Sequence, residues 1–253
     1  MKKIFAFLLF LNFLLASDKS IIIGSTPTPY GEILAFSKSL FEAKGYKLEH
    51  KEFSDYVTPN LALDSKELDA NLYQHKPFLD DFNHNKGTKL ENIGTVILIP
   101  MAIYSKNIKN LKDLKDGSVV SLPNDPTNES RALELLEKAS LIKVKNKPLK
   151  TALDIVENKK NLKFKPLKAA QLPRSLDDVD IAVIPANYAL GASLKPYKDG
   201  LFVENDKNYA IVIAVRKEDL SSEKTKVIKE VLQSKEMKEY IKKTFSDSLI
   251  PIF

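Results

Sequence analysis

The sequence predicts an α/β protein of two lobes joined by two extended crossings. A buried strand, an amphipathic helix and a second strand follow one another from Ser20, and the alternation recurs after Gly117. Strand, helix, strand is the unit of a parallel sheet with a right-handed crossover. "LENIGTVILIPMAIYS" and "GLFVENDKNYAIVIAVR" are extended runs longer than most strands, so each is expected to carry the chain from one lobe to the other. The expected division is a signal segment over 1–16, one lobe from 19–101 and 206–253, and a second from 102–205.

The chain opens "MKKIFAFLLFLNFLLAS", two lysines and an apolar run ending in small residues. That is the pattern of a secretory signal, too short to be argued as a spanning helix. "LLAS" has the form of a lipid-attachment motif with Ser17 in the place of its cysteine, and the chain contains no cysteine. A hydroxyl cannot form the thioether that holds the lipid, so the expected product is exported to the periplasm, soluble and not lipidated. The formal charge is +6 with a pI of 9.1. The lysines are interleaved with acids, and with export this argues against a nucleic-acid partner.

In the first lobe "SIIIGST" reads as a buried strand and "PTPYGE" as a helix start. The helix runs from about Ile33 to Lys44, stops at Gly45, and is followed by the alternating strand "YKLEHKEF". "DYVTPNLALDSKELDANLYQHKPFLDDF" then gives a short helix, a short strand ending near Leu72, a loop, and a helix from about Pro77. In the second lobe come strand "GSVVSLP", a helix, the extended "LKFKPLK", the loop "AAQLPRSLDDVD", strand "IAVIPA" and helix "NYALGASL". One Lys/Glu-rich helix is expected from Ser222 to Phe245, with Val227, Ile228, Val231, Leu232 and Met237 inward.

"NDPTNESRALELL" carries the chemistry. Asp125 or Thr127 suits a cap and Pro126 a first helical turn, while Asn128 and Arg131, three apart, share one face of that turn. A helix N-terminus offers free N–H groups and partial positive charge, and Arg131 adds a fork matched to a carboxylate. On this stretch alone the simpler expectation is an Arg131 that pairs with Glu134 or Glu129 on the surface. Because ligands of α/β lobes gather at the carboxyl ends of strands, "NLYQHKPF", "LPNDPTN" and "IPANYA" are expected to line an interlobe cleft, with Arg131 facing an acid group there.

The segments "FSDYVTPNLAL", "LDANLYQHKPFLD", "SLPNDPTNESRALELLEKASLI", "DIVENKKNLKF", "QLPRSLDDVDIAVI" and "DGLFVENDKNY" resemble the NlpA/MetQ family, the substrate-binding components of methionine-type ABC importers, in family order from about Ile22 onward. The resemblance implies a two-lobed periplasmic-binding-protein fold, no catalysis, no cofactor, a monomer, and delivery of a small amino-acid-like ligand to a membrane permease with its ATPase. It places an aromatic and imidazole pocket at Tyr56, Tyr73, His75 and Phe78, and a carboxylate clamp at Asn128 and Arg131. Where methionine binders of the family carry two asparagines that read the ligand's head group, this chain has Pro185 and Ile211. Neither side chain has a polar atom to offer, so free L-methionine is expected to bind weakly unless Asn187 compensates.

Other functions have less to stand on. No nucleophile elbow, phosphate-cradling glycine loop or H-E-x-x-H occurs, so no catalytic residue is assigned. Asp80 and His84 have metal-ligand spacing on a helix, with His75 and Asp81 nearby, but read more simply as a solvated face, and no metal is expected. Tyr188 is expected to pack its own helix. The alternatives are a metal-ion-binding periplasmic protein and a surface-exposed adhesin using the same fold.

Overall fold

The computed structural model describes residues 19–253; the signal segment and Ser17 lie outside the described residues. The chain folds in order through β1 (Ser20–Ser25), α1 (Tyr30–Ala43), β2 (Lys47–Glu52), α2 (Thr58–Asp64), β3 (Ala70–His75), α3 (Lys76–Lys86) and β4 (Leu90–Leu98). It then crosses to β5 (Met101–Tyr104), β6 (Val119–Pro123), α4 (Pro126–Lys138), β7 (Lys143–Val144), β8 (Ile155–Glu157), β9 (Lys163–Leu167), α5 (Leu172–Ser175), β10 (Ile181–Pro185), α6 (Ala186–Gly191), α7 (Pro196–Asp199) and β11 (Phe202–Val203). After the second crossing come β12 (Ala210–Arg216), α8 (Glu223–Leu232), α9 (Lys235–Thr244) and β13 (Ile250–Pro251).

Two sheets result. The first has strand order β13-β4-β12-β3-β1-β2 and the second β11-β5-β10-β6-β9. β1 and β2 pair in parallel, as the strand-helix-strand order requires. β12 comes back between β3 and β4, antiparallel to both. The apolar faces fill two cores, one around Ile21, Ile23, Phe41, Ile213 and Met237, the other around Ile103, Val120, Leu133, Leu136 and Val183.

Several expectations are revised. β3 does not stop near Leu72: its ladder with β12, which opposes Ile211 to His75, extends it to His75, so Tyr73 and His75 sit on a strand and not in a loop. Met101, expected in the first lobe, pairs with Pro185 in the second sheet, which shortens the first crossing to Ile99 and Pro100. The loop "AAQLPRSLDDVD" contains α5, and the hairpin of β7 and β8 is additional. The expected single helix from Ser222 to Phe245 is two, because the Ser234 side chain accepts from the Met237 N–H and caps α9 anew. That break has a use. Gln233 Nε2 donates to Thr95 O at 2.8 Å, over a left-handed Gly94 (φ 155°) where a Cβ would lie 2.5 Å from the same amide, so only glycine lets α8 dock on β4 this way.

Candidate ligand site in the interlobe cleft

Both sheets present strand ends to one cleft, whose non-atom space of about 340 Å³ is partly open to solvent. One wall is aromatic. Tyr73 and His75 project from the end of β3, Phe78 from the first turn of α3, and Tyr56 from the turn before α2. The rings meet edge to face or tilted, with centroids 5.9 Å apart for Tyr56 and Phe78, 6.2 Å for Tyr73 and Phe78, and 6.0 Å for Tyr56 and Tyr73, within the range in which aromatic pairs attract.

Hydrogen bonds fix these rings. Tyr73 Oη donates to Tyr56 O at 2.8 Å, and Tyr30 Oη, from the start of α1, donates to Tyr73 O at 3.2 Å. Behind them Asn60, Asn71 and Gln74 form a buried triad in which each amide has partners, with Gln74 Nε2 donating to Asn60 Oδ1 at 2.6 Å and Asn60 Nδ2 donating back to Gln74 Oε1 at 2.8 Å. A fully satisfied buried network favours one arrangement of α2 on β3 over others. Burial raises the pKa of Tyr56 and Tyr73 well above the ordinary phenol value, which keeps both hydroxyls protonated donors.

His75 caps α3: its Nδ1 accepts from the Phe78 N–H at 3.1 Å. That assigns the ring proton to Nε2, which lies 3.1 Å from Asn128 Oδ1 across the cleft. Burial, and secondarily the Arg131 charge, push the His75 pKa down to about 3. The imidazole is therefore neutral.

The other wall is polar. Asp125 caps α4, accepting from Asn128 N at 3.0 Å and Asn128 Nδ2 at 2.9 Å, which aims Asn128 at the cavity. Arg131 lies one turn on and is 3% exposed. It pairs with neither Glu134 nor Glu129, as the sequence alone would suggest, but with Glu204, from the second crossing. Arg131 Nε donates to Glu204 Oε1 at 2.9 Å, and Arg131 Nη2 donates to Glu204 Oε2 and to Ile99 O. Glu204 also accepts from Met101 N at 3.2 Å, and the Tyr209 ring stacks on the guanidinium at 4.3 Å. Both crossings thus meet on one guanidinium. Burial alone would lower the Arg131 pKa, but the Glu204 carboxylate outweighs it and raises it, so the charge is kept. Among the described residues Nη1 has no hydrogen-bond partner, and Arg131 lines the cavity.

Asn187, in the first turn of α6, also lines the cavity, where its Oδ1 accepts from Tyr56 Oη at 2.7 Å and its Nδ2 donates to Thr26 Oγ1 at 3.4 Å. Pro185, at the end of β10, and Ile211, on β12 opposite His75, also line the cavity with apolar side chains. Ile211 stands beside a register shift in the ladder of β12 with β4, the kind of bulge that re-aims a side chain. All seven residues expected to face the cleft (Tyr56, Tyr73, His75, Phe78, Asn128, Arg131 and Asn187) are therefore brought around one cavity. Tyr188, expected only to pack its helix, also reaches the other lobe, donating to Ser54 O at 3.1 Å and tilting against Tyr56.

Tyr30, Ile99, Glu204 and Tyr209 were not identifiable as site residues. A glutamate in "FVEND" carries no local signal that it will be buried 73 residues from its partner. Asp80, considered above as a metal ligand, instead pairs with Lys76 on the exposed face of α3.

The chain is 47% identical to the D-methionine-binding lipoprotein MetQ of Salmonella typhi over 214 residues, 83% of this chain and 79% of that one. It is 39% identical to the methionine-binding lipoprotein MetQ of Bacillus subtilis over 245 residues, 94% and 89% of the two chains. Among solved structures, a nutrient-binding protein of Burkholderia cenocepacia bound to methionine superposes with a TM-score of 0.90 at 44% identity, covering 92% of this chain and 100% of that one. The profile of the NlpA lipoprotein family matches residues 21–253, and the chain, with its two lobes and shared cleft, belongs to that family.

Proposed function

We propose that the protein is the extracytoplasmic substrate-binding component of an ABC importer, which captures methionine or a related small amino-acid-like carboxylate in the cleft and hands it to a membrane permease driven by an ATPase. It acts by binding, not catalysis, as an exported monomer. The observation that carries this is Arg131, buried, held on one edge by Glu204 and lining an aromatic-walled cavity. A carboxylate there gains a charge-assisted bond roughly twice as strong as a neutral one, and the rings give a thioether or aliphatic group contacts of about 0.3–1.5 kcal/mol each. The methionine-binding names of the relatives support the same ligand class.

The ligand's amine is read differently. The side chains of Pro185 and Ile211 offer no donor or acceptor, and a buried ammonium without partners costs several kcal/mol. The favoured ligand therefore carries a carboxylate and an apolar or thioether portion, with its amine blocked, absent or placed toward Asn187. Native mass spectrometry of the protein as purified identifies a retained ligand. Calorimetry of stripped protein with L-methionine, D-methionine, N-acetylmethionine and 4-(methylthio)butanoate then ranks the head groups. Tight binding of free methionine would overturn the amine assignment, and no binding by any carboxylate would overturn the importer function, leaving adhesion with an empty cleft.

A ligand touching both walls contacts both lobes only when they are shut, so it favours closure by its differential contacts. Small-angle scattering should show a smaller radius of gyration on adding it. Ser17 in place of cysteine supports export without a lipid; palmitate incorporation into the wild-type chain would contradict this, and Ser17→Cys should gain it.

A further inference from the structure

A second concavity lies on the second lobe, away from the cleft. Its non-atom space of about 1490 Å³ is partly open to solvent, and Tyr104, Arg174, Leu194 and Lys198 are among the residues that line it. β5 runs between the two sites. Met101, at one end, pairs with Pro185 of the cleft, and Tyr104, at the other, pairs with Ala182, roughly 10 Å away at the rise of a strand.

Tyr104 is the unusual group there. It is 1% exposed, packed in the cluster of Leu172, Leu176, Ala182 and Ile184. Its Oη is a buried polar atom with no hydrogen-bond partner among the described residues. Burial, and secondarily the Asp199 carboxylate, raise its pKa above the ordinary phenol value, so the hydroxyl stays a protonated donor. Buried polar groups are nearly always paired, and one left unpaired costs stability. A donor that the fold leaves unsatisfied at the wall of a concavity is matched by an acceptor that enters from outside.

The charges around it say which acceptor. Lys106, Lys109, Arg174 and Lys198 line the concavity against Asp177 and Asp199. Lys106 pairs with Asp177, and Asp199 Oδ2 already accepts from Lys195 N at 2.7 Å. Lys109, Arg174 and Lys198 have no carboxylate partner among the described residues, and they come from three separate elements, the loop after β5, α5 and α7. Pro173, Leu176, Leu194 and Leu201 supply an apolar part. Apolar walls with a few convergent polar groups are the composition of a small-molecule site.

We propose that this concavity is a second ligand site, for a small organic anion with an apolar body, whose carboxylate accepts from Tyr104 Oη and pairs with Arg174 and Lys198. The site goes beyond the importer function and does not rest on it. The probe is 4-phenylbutanoate, titrated by calorimetry into the wild-type chain and into the variant Arg131→Met with Glu204→Met, whose cleft has lost its guanidinium. That variant should still bind the probe, and should bind neither acetate nor 4-phenylbutylamine. Tyr104→Phe and Arg174→Ala should each weaken the binding about ten-fold. In the wild-type background Tyr104→Phe should lower the stoichiometry from two probes per chain to one, which keeps the test open should the cleft variant not fold. Without the probe Tyr104→Phe should melt at or above the wild-type temperature, because deleting an unpaired hydroxyl leaves nothing unsatisfied. A lower melting temperature would mean that the hydroxyl is satisfied within the protein, and would overturn the site. Loss of all binding with Arg131 and Glu204, equal binding of acetate or of the amine, or an affinity and stoichiometry unmoved by Tyr104→Phe would overturn it as well.

Discussion

The aromatic wall of the cleft comes from one short stretch of chain, Tyr56 to Phe78, and is held by its own neighbours. The polar wall takes Asn128, Arg131 and Asn187 from two helix starts, and its orientation depends on Glu204, 73 residues beyond Arg131, and on Tyr209. The first wall is a consequence of local packing, since rings on a strand end and the next helix turn meet however the other lobe lies. The second is set by the crossings. A guanidinium that donates to Ile99 O and to Glu204 registers the geometry of both connections at once, so the polar wall is where ligand charge and lobe position are linked.

The largest way to break this contrast is Arg131→Ala. A ligand carboxylate left unpaired in the cleft should cost ~2–5 kcal/mol of affinity, roughly thirty-fold to several thousand-fold. The same change strands Glu204, whose side chain is 3% exposed, and breaking a buried pair costs about 3–5 kcal/mol of stability. The double variant Arg131→Met with Glu204→Met separates the two effects. Its melting temperature should recover toward wild type while binding, read by calorimetry, stays lost. Recovery of both would reduce Arg131 to a structural ion pair.

A second probe acts where the walls touch. His75 is held neutral with its pKa pushed down to about 3, below the unfolded value near 6.5. As pH falls through that window the unfolded chain takes up a proton that the folded chain refuses, so stability falls, by up to ~1.4 kcal/mol per pH unit. Protonation would also remove the Nδ1 acceptor from the Phe78 N–H and set a cation near Arg131. Chemical denaturation at pH 7 and pH 5 should show the loss, and His75→Asn should flatten it. A slope unchanged by that substitution would assign it to other groups.

These outcomes bear on what the sequence made legible. The α/β alternation, the capped start of α4 and the aromatic group near "NLYQHKPF" were local patterns and could be read directly. Glu204 and Tyr209 could not, because their roles arise only when the second crossing returns beside α4. The end of β3 was misjudged for the same reason: the strand that extends it to His75 is β12, more than a hundred residues later. The tail was read as one helix because its apolar period runs through Gln233; the Ser234 cap restarts the helix there, and the fit of the Gln233 side chain to β4 uses the break.

A smaller effect is expected at the hydrogen bond between the walls. Tyr56→Phe keeps the ring against Tyr73 and Phe78 but deletes the donor to Asn187 Oδ1. One net hydrogen bond is about 0.5–1.5 kcal/mol. Because it joins the two lobes, the loss should appear in the dissociation rate, a few-fold faster by stopped-flow, with the melting temperature little changed. An unaltered rate would mean that Asn187 takes its bond from the ligand when the cleft is filled.

The smallest effects belong outside both walls. Lys138 pairs with Asp206 at 3.4 Å with half of its side chain exposed, and Lys112 is exposed. Both are cations on the same lobe as Arg131, so a site that worked by general positive charge would feel their loss. Solvent screens such charges, and exposed pairs contribute about 0–1 kcal/mol to the fold. Lys112→Ala and Lys138→Ala should therefore leave ligand affinity unchanged within about two-fold, including at low salt, where screening is weakest. A salt-dependent loss in either variant would show that the anion is steered by the charge of the whole lobe and not recognised by one oriented guanidinium.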